Sequence, residues 1–481
     1  MPGGAVVRGG AEDWIALPLD KSLFANLDQD AVVGHQTAIE NGFINELGGH
    51  TRFPGLVEFC TLPDNGRVYL YDFMGDLLAA TSKGRVYRIG QNGTVTDVTN
   101  VPISGGRRVI FAKNNQEAWM AAGGQIIRLR STKTELLSPD APLTSHIACI
   151  DNIVVAVAIN SQLWYYSNPG YPDQWPDLNT FSADSSPDNA SAFIIDDFRD
   201  LIFGGLSAIE QWQRVPTGNT PFYRQWAIGE GVKSPYCLLS ADNAVWTVNK
   251  LSELVKINQQ ITASVSNDIG LILEGIDDWT DAWLGGYPNS PCHVVGQKFM
   301  ILQMPNATNA YGTTGVTLLY DYRNKRWSTL YGWDPTTGLR QRWPGWSHWR
   351  LWDQVFVGGE GKIYTFTTDT YTNDGVAQPW LTRTSHISEG NQFQIRDFRL
   401  QIKRGSSGTA VAPNILVRCS RDGRSFGPWI KRDLGLSGDR MMFKNFGGFG
   451  VATTFLFEIS STDDTPIDLV KAEIKGVKIG H

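Results

Sequence analysis

Residues 66–98, GRVYLYDFMGDLLAATSKGRVYRIGQNGTVTDV, decide the fold. Their pattern of short strands and turns recurs about 41 residues later in residues 107–138, RRVIFAKNNQEAWMAAGGQIIRLRSTKTELLS. In both copies short apolar strands alternate with polar turns. Gly84 and Gly93 stand in turns where a tight hairpin needs a positive φ, which glycine adopts without a steric penalty. A period of about 40 residues with three or four strands is typical of a β-propeller blade.

The same pattern of short strands and turns continues to about residue 375. It recurs in 146–167, in 196–215, in 234–257, in 293–304 joined to 316–330, and as a fragment in 353–367. Because one unit cannot bury both of its faces, neighbouring units must stack around an axis. The sequence therefore predicts an all-β protein with a β-propeller of six or seven blades over residues 57–375. We expect the strand near 51–60 to complete the last blade; a β-solenoid or tandem sandwiches remain the alternatives.

Composition changes on both sides of this repeat. Residues 1–56 are rich in Gly, Asp and Asn, which indicates an extended N-terminal arm and a first strand. Residues 376–481 contain about six short strands with turns every eight to twelve residues, which favours a C-terminal β-sandwich. The stretch 266–285 carries apolar residues at spacings of three and four, which predicts one short helix. We expect Asp277 and Asp278 to cap it.

Net charge and cysteine spacing argue against a dedicated nucleic-acid binder and against a zinc site. The net charge is −6 and the pI is about 5.7, whereas a dedicated nucleic-acid binder usually has a basic face. The five cysteines are far apart and form no zinc-ligand spacing, which favours reduced thiols in a protein made in a cytosol. No signal peptide pattern or membrane span is visible in the sequence. We expect no cofactor and no metal ion.

A tryptophan-rich segment over residues 327–352 is the most unusual feature of the chain. Its candidate contact residues are Trp333, Arg340, Arg342, Trp343, Trp346, Trp349 and Arg350. One interpretation is an exposed aromatic platform that stacks sugars or, through its arginines, touches DNA. The favoured interpretation is packing between blades, together with a loop against a neighbouring subunit.

Adjacent aspartates offer a second possibility. They occur at 196–197, at 277–278 with Asp281 nearby, and at 463–464. Glycosidases place two carboxylates across a cleft, but adjacent aspartates in turns more often cap loops. We favour the second interpretation.

Motifs near the C-terminus carry a family resemblance. VRCSRDGRSFGPWIKRDLG (417–435) and FLFEISSTDDTPIDLVKAEI (455–474) resemble the C-terminal domain of the tail nozzle proteins of short-tailed bacteriophages, also called packaged-DNA stabilisation or tail-hub proteins. The family positions are held by Ser420, Asp422, Gly423, Phe426, Leu434, Gly435, Pro466 and Ala472. Residues 40–56, which contain Pro54 and Gly55, and residues 198–222 with 231–249 are similar to further family segments. Residues 439–450 have fewer arginines than the family's basic–aromatic strand.

The resemblance implies a structural virion protein and not an enzyme. Such proteins form a homo-oligomeric ring, typically a hexamer, below the portal and the head-to-tail adaptor. The ring continues the DNA channel, retains packaged DNA, passes the double-stranded DNA during ejection, and carries tail fibres or tailspikes and often a needle or plug. The chain would be made in the host bacterial cytoplasm and end in the virion tail. The alternative is a carbohydrate-binding or glycoside-processing, lectin-like propeller.

Overall fold

The computed structural model describes residues 14–17, 19, 38–215, 221–285, 292–294, 297–322, 324–422, 425–435 and 441–478. Helical turns in this described part are confined to Asn267–Ile269 and Gly270–Glu274, which confirms the short helix predicted within 266–285. Asp277 and Asp278 do not cap it, because they follow its end; Asp277 instead accepts hydrogen bonds from the Thr308 backbone N–H and hydroxyl, at 2.9 and 2.7 Å. No described helix is long and apolar enough to cross a membrane.

Seven blades form a propeller within the described residues, and their strands pair antiparallel, except that Thr372–Asn373 pairs in parallel with Gly55–Thr61. The first five consist of Val68–Phe73, Asp76–Thr81, Val86–Ile89 and Val95–Asp97 (blade 1); Ile110–Lys113, Ala118–Ala121, Ile127–Leu129 and Thr134–Leu136 (blade 2); Thr144–Ile150, Ile153–Ala158, Leu163–Tyr166 and Thr180–Ser182 (blade 3); Ala192–Ile195, Leu201–Gly204, Ile209–Arg214 and Phe222–Ile228 (blade 4); and Leu238–Ala241, Ala244–Val248, Leu254–Asn258 and Ile261–Ser264 (blade 5). Gly84 and Gly93 have the predicted positive φ, 81° and 79°.

The last two blades are less regular. Blade 6 comprises Trp283–Leu284, Cys292–Val294, Gln297–Thr308, Thr314–Asp321 and Arg326–Thr329. Blade 7 comprises Ser347–Leu351, Gln354–Gly358, Lys362–Thr367 and Gly55–Thr61, with Thr372–Asn373 and Val376–Ala377 added outside. A hairpin of Tyr331–Asp334 and Leu339–Arg342 connects the two blades.

An N-terminal strand closes the ring. Gly55–Thr61 pairs antiparallel with Lys362–Thr367, which confirms the closure predicted from the sequence. The first strands of blades 7 and 1 then contact each other.

Apolar side chains between neighbouring blades form the propeller core. Tyr71 of blade 1 stacks on Phe111 of blade 2, with ring centroids 5.3 Å apart. Trp164 of blade 3 similarly stacks on Phe203 of blade 4 at 4.8 Å. Since such aromatic pairs recur around the ring, each blade buries its faces against its neighbours.

The C-terminal domain is a β-sandwich of two sheets. One sheet contains Ile15–Leu17, Gly42–Ile44, His50–Arg52, Ile387–Lys403, Met442–Gly447 and Asp468–Lys478. The facing strands are Trp380–Arg383, Asn414–Ser420, Ile430–Asp433 and Val451–Ser461. Phe398 and Phe457 stack between the layers with centroids 4.2 Å apart. The described strands of the predicted arm, residues 1–56, therefore complete both the sandwich and the propeller.

A shared sheet joins the two domains. Ile39–Glu40 pairs in parallel with Arg326–Thr329 of blade 6 and antiparallel with Trp380–Arg383 of the sandwich. The backbone ladder thus continues from one domain into the other without a break.

A buried arginine stabilises this junction. Arg52 is 1% exposed, and burial lowers its pKa to about 10. Its guanidinium donates to four backbone carbonyls, those of Tyr371, Gln378, Asp463 and Thr465. Tyr371 and Gln378 flank the outer strands of blade 7, whereas Asp463 and Thr465 lie on the sandwich. One side chain therefore connects the segment before Gly55 to both domains.

Gly55 is predicted to be essential for ring closure. Its N–H donates to Thr370 O at 2.9 Å, and an added Cβ would lie 2.4 Å from Thr372 O and 2.6 Å from Thr370 O. Gly55→Ala must therefore displace backbone, and we expect it to lower the free energy of unfolding by about 1–3 kcal/mol, measured from urea unfolding. Gly229→Ala is the control, because a Cβ there meets nothing within 4 Å. Equal unfolding midpoints for the two variants would contradict this account.

Candidate functional site

The tryptophan-rich segment lies mainly inside the subunit. Trp343 and Trp346 are 1% and 3% exposed, and the Trp343 ring stacks on Phe366 at 6.3 Å. Trp349 is half-buried, 4.7 Å from the ring of Tyr71. These three tryptophans therefore pack between blades, and Trp343 and Trp346 cannot form an exposed platform. Trp333, on the hairpin between blades 6 and 7, is partly exposed.

The three candidate arginines have different environments. Arg340 pairs with Glu40 at 2.5 Å, and Glu40 is 0% exposed. Burial alone would lower the pKa of Arg340, but Glu40 and the neighbouring tyrosines outweigh it and raise the pKa. Arg342 pairs with Glu360 at 2.9 Å, whereas Arg350 is exposed and lies 3.6 Å from Asp353. Arg340 and Arg342 are thus committed to contacts within the subunit.

The family-motif residues shape turns of the sandwich. The Ser420 hydroxyl donates to Asp422 at 2.9 Å, and the same carboxylate accepts the Ser425 N–H at 2.8 Å. This turn brings Phe426 back to an isolated bridge with Ser420. Gly423 lies outside the described residues.

Other family positions also have packing or turn roles. Gly435 has a φ of 81°, and its N–H donates to Asp433 at 2.5 Å. Leu434 and Ala472 are fully buried. Pro54 lies beside the closing strand, where its carbonyl accepts from the Gln378 amide at 3.5 Å. Pro466 lies beside Gly405.

The paired aspartates act as loop acceptors. Asp196 accepts the N–H groups of Phe198 and Asp200 at 2.9 and 2.8 Å, and burial raises its pKa to about 6. Asp464 accepts the Tyr371 N–H across the sandwich–propeller junction, and Asp463 accepts the Asn414 N–H within the sandwich, each at 2.6 Å. Among the described residues, no group of three or more His, Cys, Asp or Glu is arranged to hold a metal ion.

A cavity at the propeller axis was not predicted from the sequence. It has a volume of about 650 Å³, and we call it the axial cavity. Its wall comes from residues at the start of, or just before, the first strands of blades 2 to 6 and from nearby turns. It includes Arg107, Ser145, Asn160, Asn189, Ser191, Lys233, Tyr236, Trp279 and Asp281. These residues are far apart in sequence, and the repeat brings them to one place.

Side chains from non-adjacent blades meet beside this cavity. Tyr236, before blade 5, stacks on His146 of blade 3 at 5.3 Å. His146 Nε2–H donates to Pro235 O at 3.0 Å, and Nδ1 accepts the Ser145 hydroxyl at 3.0 Å. Burial, with a smaller contribution from Arg107, lowers the pKa of His146 to about 4, so the imidazole is neutral near pH 7.

Positive charge is in excess around the cavity. Asp281 is paired with Arg67 at 3.0 Å. Arg107 and Lys233 form no ion pair with any residue that the structure describes. Arg108 is buried, with its guanidinium 5.0 Å from the Tyr69 ring and 4.6 Å from the Trp283 ring. The arrangement can therefore attract an anion.

Comparisons with known proteins give structural likeness at low identity. No family model matches the chain, and no curated protein matches it. Virginiamycin B lyase from Staphylococcus aureus is 11% identical, with 65% of this chain and 98% of that chain covered and a TM-score of 0.41. The extracellular domain of a putative one-component system from B. thetaiotaomicron is 11% identical, with coverage of 65% and 40% and a TM-score of 0.42. The computationally designed Ika8 protein is 13% identical, with coverage of 64% and 99% and a TM-score of 0.34.

The two arginines Arg340 and Arg350 are predicted to differ sharply in their contribution to stability. Arg340→Met leaves the buried carboxylate of Glu40 without its cation, and we expect a loss of about 3–5 kcal/mol in the free energy of unfolding. Arg350→Met removes an exposed pair and should change stability by less than about 1 kcal/mol. Urea unfolding of both variants measures the difference. Similar losses would show that the pair with Glu40 has no special role.

The neutral His146 predicts a loss of stability in mild acid. Above pH 6.5 the imidazole is neutral in both the folded and the unfolded chain. As the pH falls towards 4, the unfolded state binds a proton that the folded state does not, so stability decreases by up to about 3 kcal/mol. His146→Gln should flatten the pH dependence of the unfolding midpoint between pH 6.5 and 4. An unchanged slope in this variant would refute the assignment.

Proposed function

We propose that the chain is a structural virion protein, the tail nozzle of a short-tailed bacteriophage. Its hexameric ring would form the distal part of the DNA channel, below the portal and the head-to-tail adaptor. In this position the ring retains packaged DNA, passes it during ejection and carries fibres or tailspikes. The residues that resemble the nozzle family, from Pro54–Gly55 to the Ser420–Phe426 turn, supply the family basis of the proposal.

The shared sheet between the domains is the observation that carries the proposal. A ring wall that holds back packaged DNA requires a subunit whose parts do not slide past one another. Ile39–Glu40 connects blade 6 to the sandwich by backbone hydrogen bonds on both sides. Arg52 adds hydrogen bonds to Asp463 O of the sandwich and to Tyr371 O, beside the outer strands of blade 7. Together they support a rigid subunit with one surface on each domain for ring neighbours and axial partners.

An edge strand of the sandwich offers a surface for a neighbouring subunit. Met442–Gly447 pairs with Ile387–Lys403 and with no other described strand. Phe443 is 53% exposed and Met441, just before the strand, is 46% exposed. Exposed apolar side chains on an unpaired edge favour association with another chain. We place the contact between ring subunits on this strand.

The acidic composition supports a channel through which DNA moves. A protein that neutralises many phosphates gains salt-sensitive affinity and holds DNA in place. With a net charge of −6, this chain suits passage of double-stranded DNA without tight retention.

Ring assembly tests the proposal directly. Mass photometry and negative-stain microscopy of the purified full chain, alone and with the cognate portal–adaptor complex, should show rings. Phe443→Ser should raise the concentration needed for assembly by about tenfold or more, since buried aromatic residues dominate interfaces. Leu178→Ser is the matched control, because Leu178 is 91% exposed but lies on blade 3, and its variant should assemble normally. A monomer that also fails to bind the portal–adaptor complex would overturn the proposal.

A further inference from the structure

The axial cavity has the dimensions of a small-ligand site. Its volume of about 650 Å³ lies within the range of roughly 300–1,000 Å³ that is typical of ligand pockets. At the axis, Arg108 of blade 2 contacts both Tyr69 of blade 1 and Trp283 of blade 6. Because side chains from non-adjacent blades meet here, the axis is filled beside the cavity. A ligand would therefore enter a recess in the propeller face.

The charges of the cavity select an anion. Arg107 is exposed and Lys233 is partly exposed, and neither forms an ion pair with a described residue. The buried guanidinium of Arg108 adds a third positive charge, which donates to Trp346 O at 2.6 Å and has no carboxylate partner in the described part of the chain. Asp281, the acidic residue of the cavity wall, is already paired with Arg67. Lys233 has the Trp279 ring 5.8 Å from its Nζ, and Arg108 has the rings of Tyr69 and Trp283, but neither has an anionic partner among the described residues. An incoming carboxylate would supply one.

The rest of the wall fits a sugar ring. Trp279 and Tyr236 contribute aromatic surface, against which the apolar face of a pyranose can pack. The side-chain amides of Asn160 and Asn189 can each donate to and accept from hydroxyl groups. A simple inorganic anion would pair with the cations but would not pack against the aromatic side chains. A neutral sugar would pack against the aromatic side chains but would not pair with the cations.

We infer that the axial cavity binds an acidic saccharide, with the carboxylate of a uronic acid held by Arg107 and Lys233 and its ring packed against Trp279. The site lies inside a single subunit. Its ligand binding therefore does not depend on ring assembly, and the inference stands or falls separately from the proposed nozzle function.

Isothermal titration calorimetry on the full chain tests the inference. Digalacturonate is the probe, galactobiose is its neutral counterpart, and inorganic phosphate is the simple anion. We expect binding of digalacturonate, with quenching of tryptophan fluorescence, and affinity at least about tenfold weaker for the other two. Arg107→Ala and Lys233→Ala should each weaken digalacturonate binding by about tenfold or more, since each removes a charged hydrogen bond. Arg350→Ala, an exposed arginine near the far end of the first strand of blade 7, should bind like the parent chain.

Four results would overturn the inference. The first is no binding of digalacturonate at about 10 mM ligand. The second is equal affinity for galactobiose, which would remove the role of the carboxylate. The third is equal affinity for phosphate, which would remove the role of the sugar ring. The fourth is unchanged affinity in both Arg107→Ala and Lys233→Ala, with unfolding midpoints equal to that of the parent chain.

Discussion

The backbone ladder between Gly55–Thr61 and Lys362–Thr367 is the constraint on which the rest of the structure depends. It closes the ring of blades, and it also fixes where the preceding residues can go. The chain before Gly55 must leave the outer side of blade 7, where Phe53 packs against Phe299 of blade 6 and Phe366 of blade 7. Residues 39–52 are thereby held beside blade 6 and the sandwich, and the two domains share one sheet.

Charged side chains are buried at this junction because residues 39–52 lie between blade 6 and the sandwich. Glu40 is fully buried and pairs with Arg340 and the Tyr311 hydroxyl, each at 2.5 Å, and these two partners are partly buried. On the sandwich side, Glu458 receives both Arg383 and Arg418. Ion pairs of this kind add less stability than equally buried apolar groups, but they penalise any arrangement that separates the partners. They therefore favour one relative position of the propeller and the sandwich.

The sequence predicted the features that repeat and missed those that arise between repeats. The period near 40 residues predicted six or seven blades and the closing strand, because each blade carries its own turns and apolar alternation. The sequence favoured packing between blades for Trp343 and Trp346, but it did not identify their partners, since Arg67, whose guanidinium lies over the Trp346 ring, is far away in the sequence. The axial cavity was missed for the same reason. A signal was present, however: Arg107 lies three residues before the first strand of blade 2, and Tyr236 lies two residues before the first strand of blade 5.

The N-terminal closing strand also sets an order of events during synthesis. Thr61 pairs with Lys362, so the partner of an early segment leaves the ribosome only after most of the propeller. At about 5–20 residues per second, the delay is on the order of 15–60 s. Blades 1 to 6 can stack from local contacts in that interval, but the ring stays open at one side. Folding of the whole subunit is therefore governed by a late, non-local pairing, and the unpaired edge must be kept from other nascent chains until then.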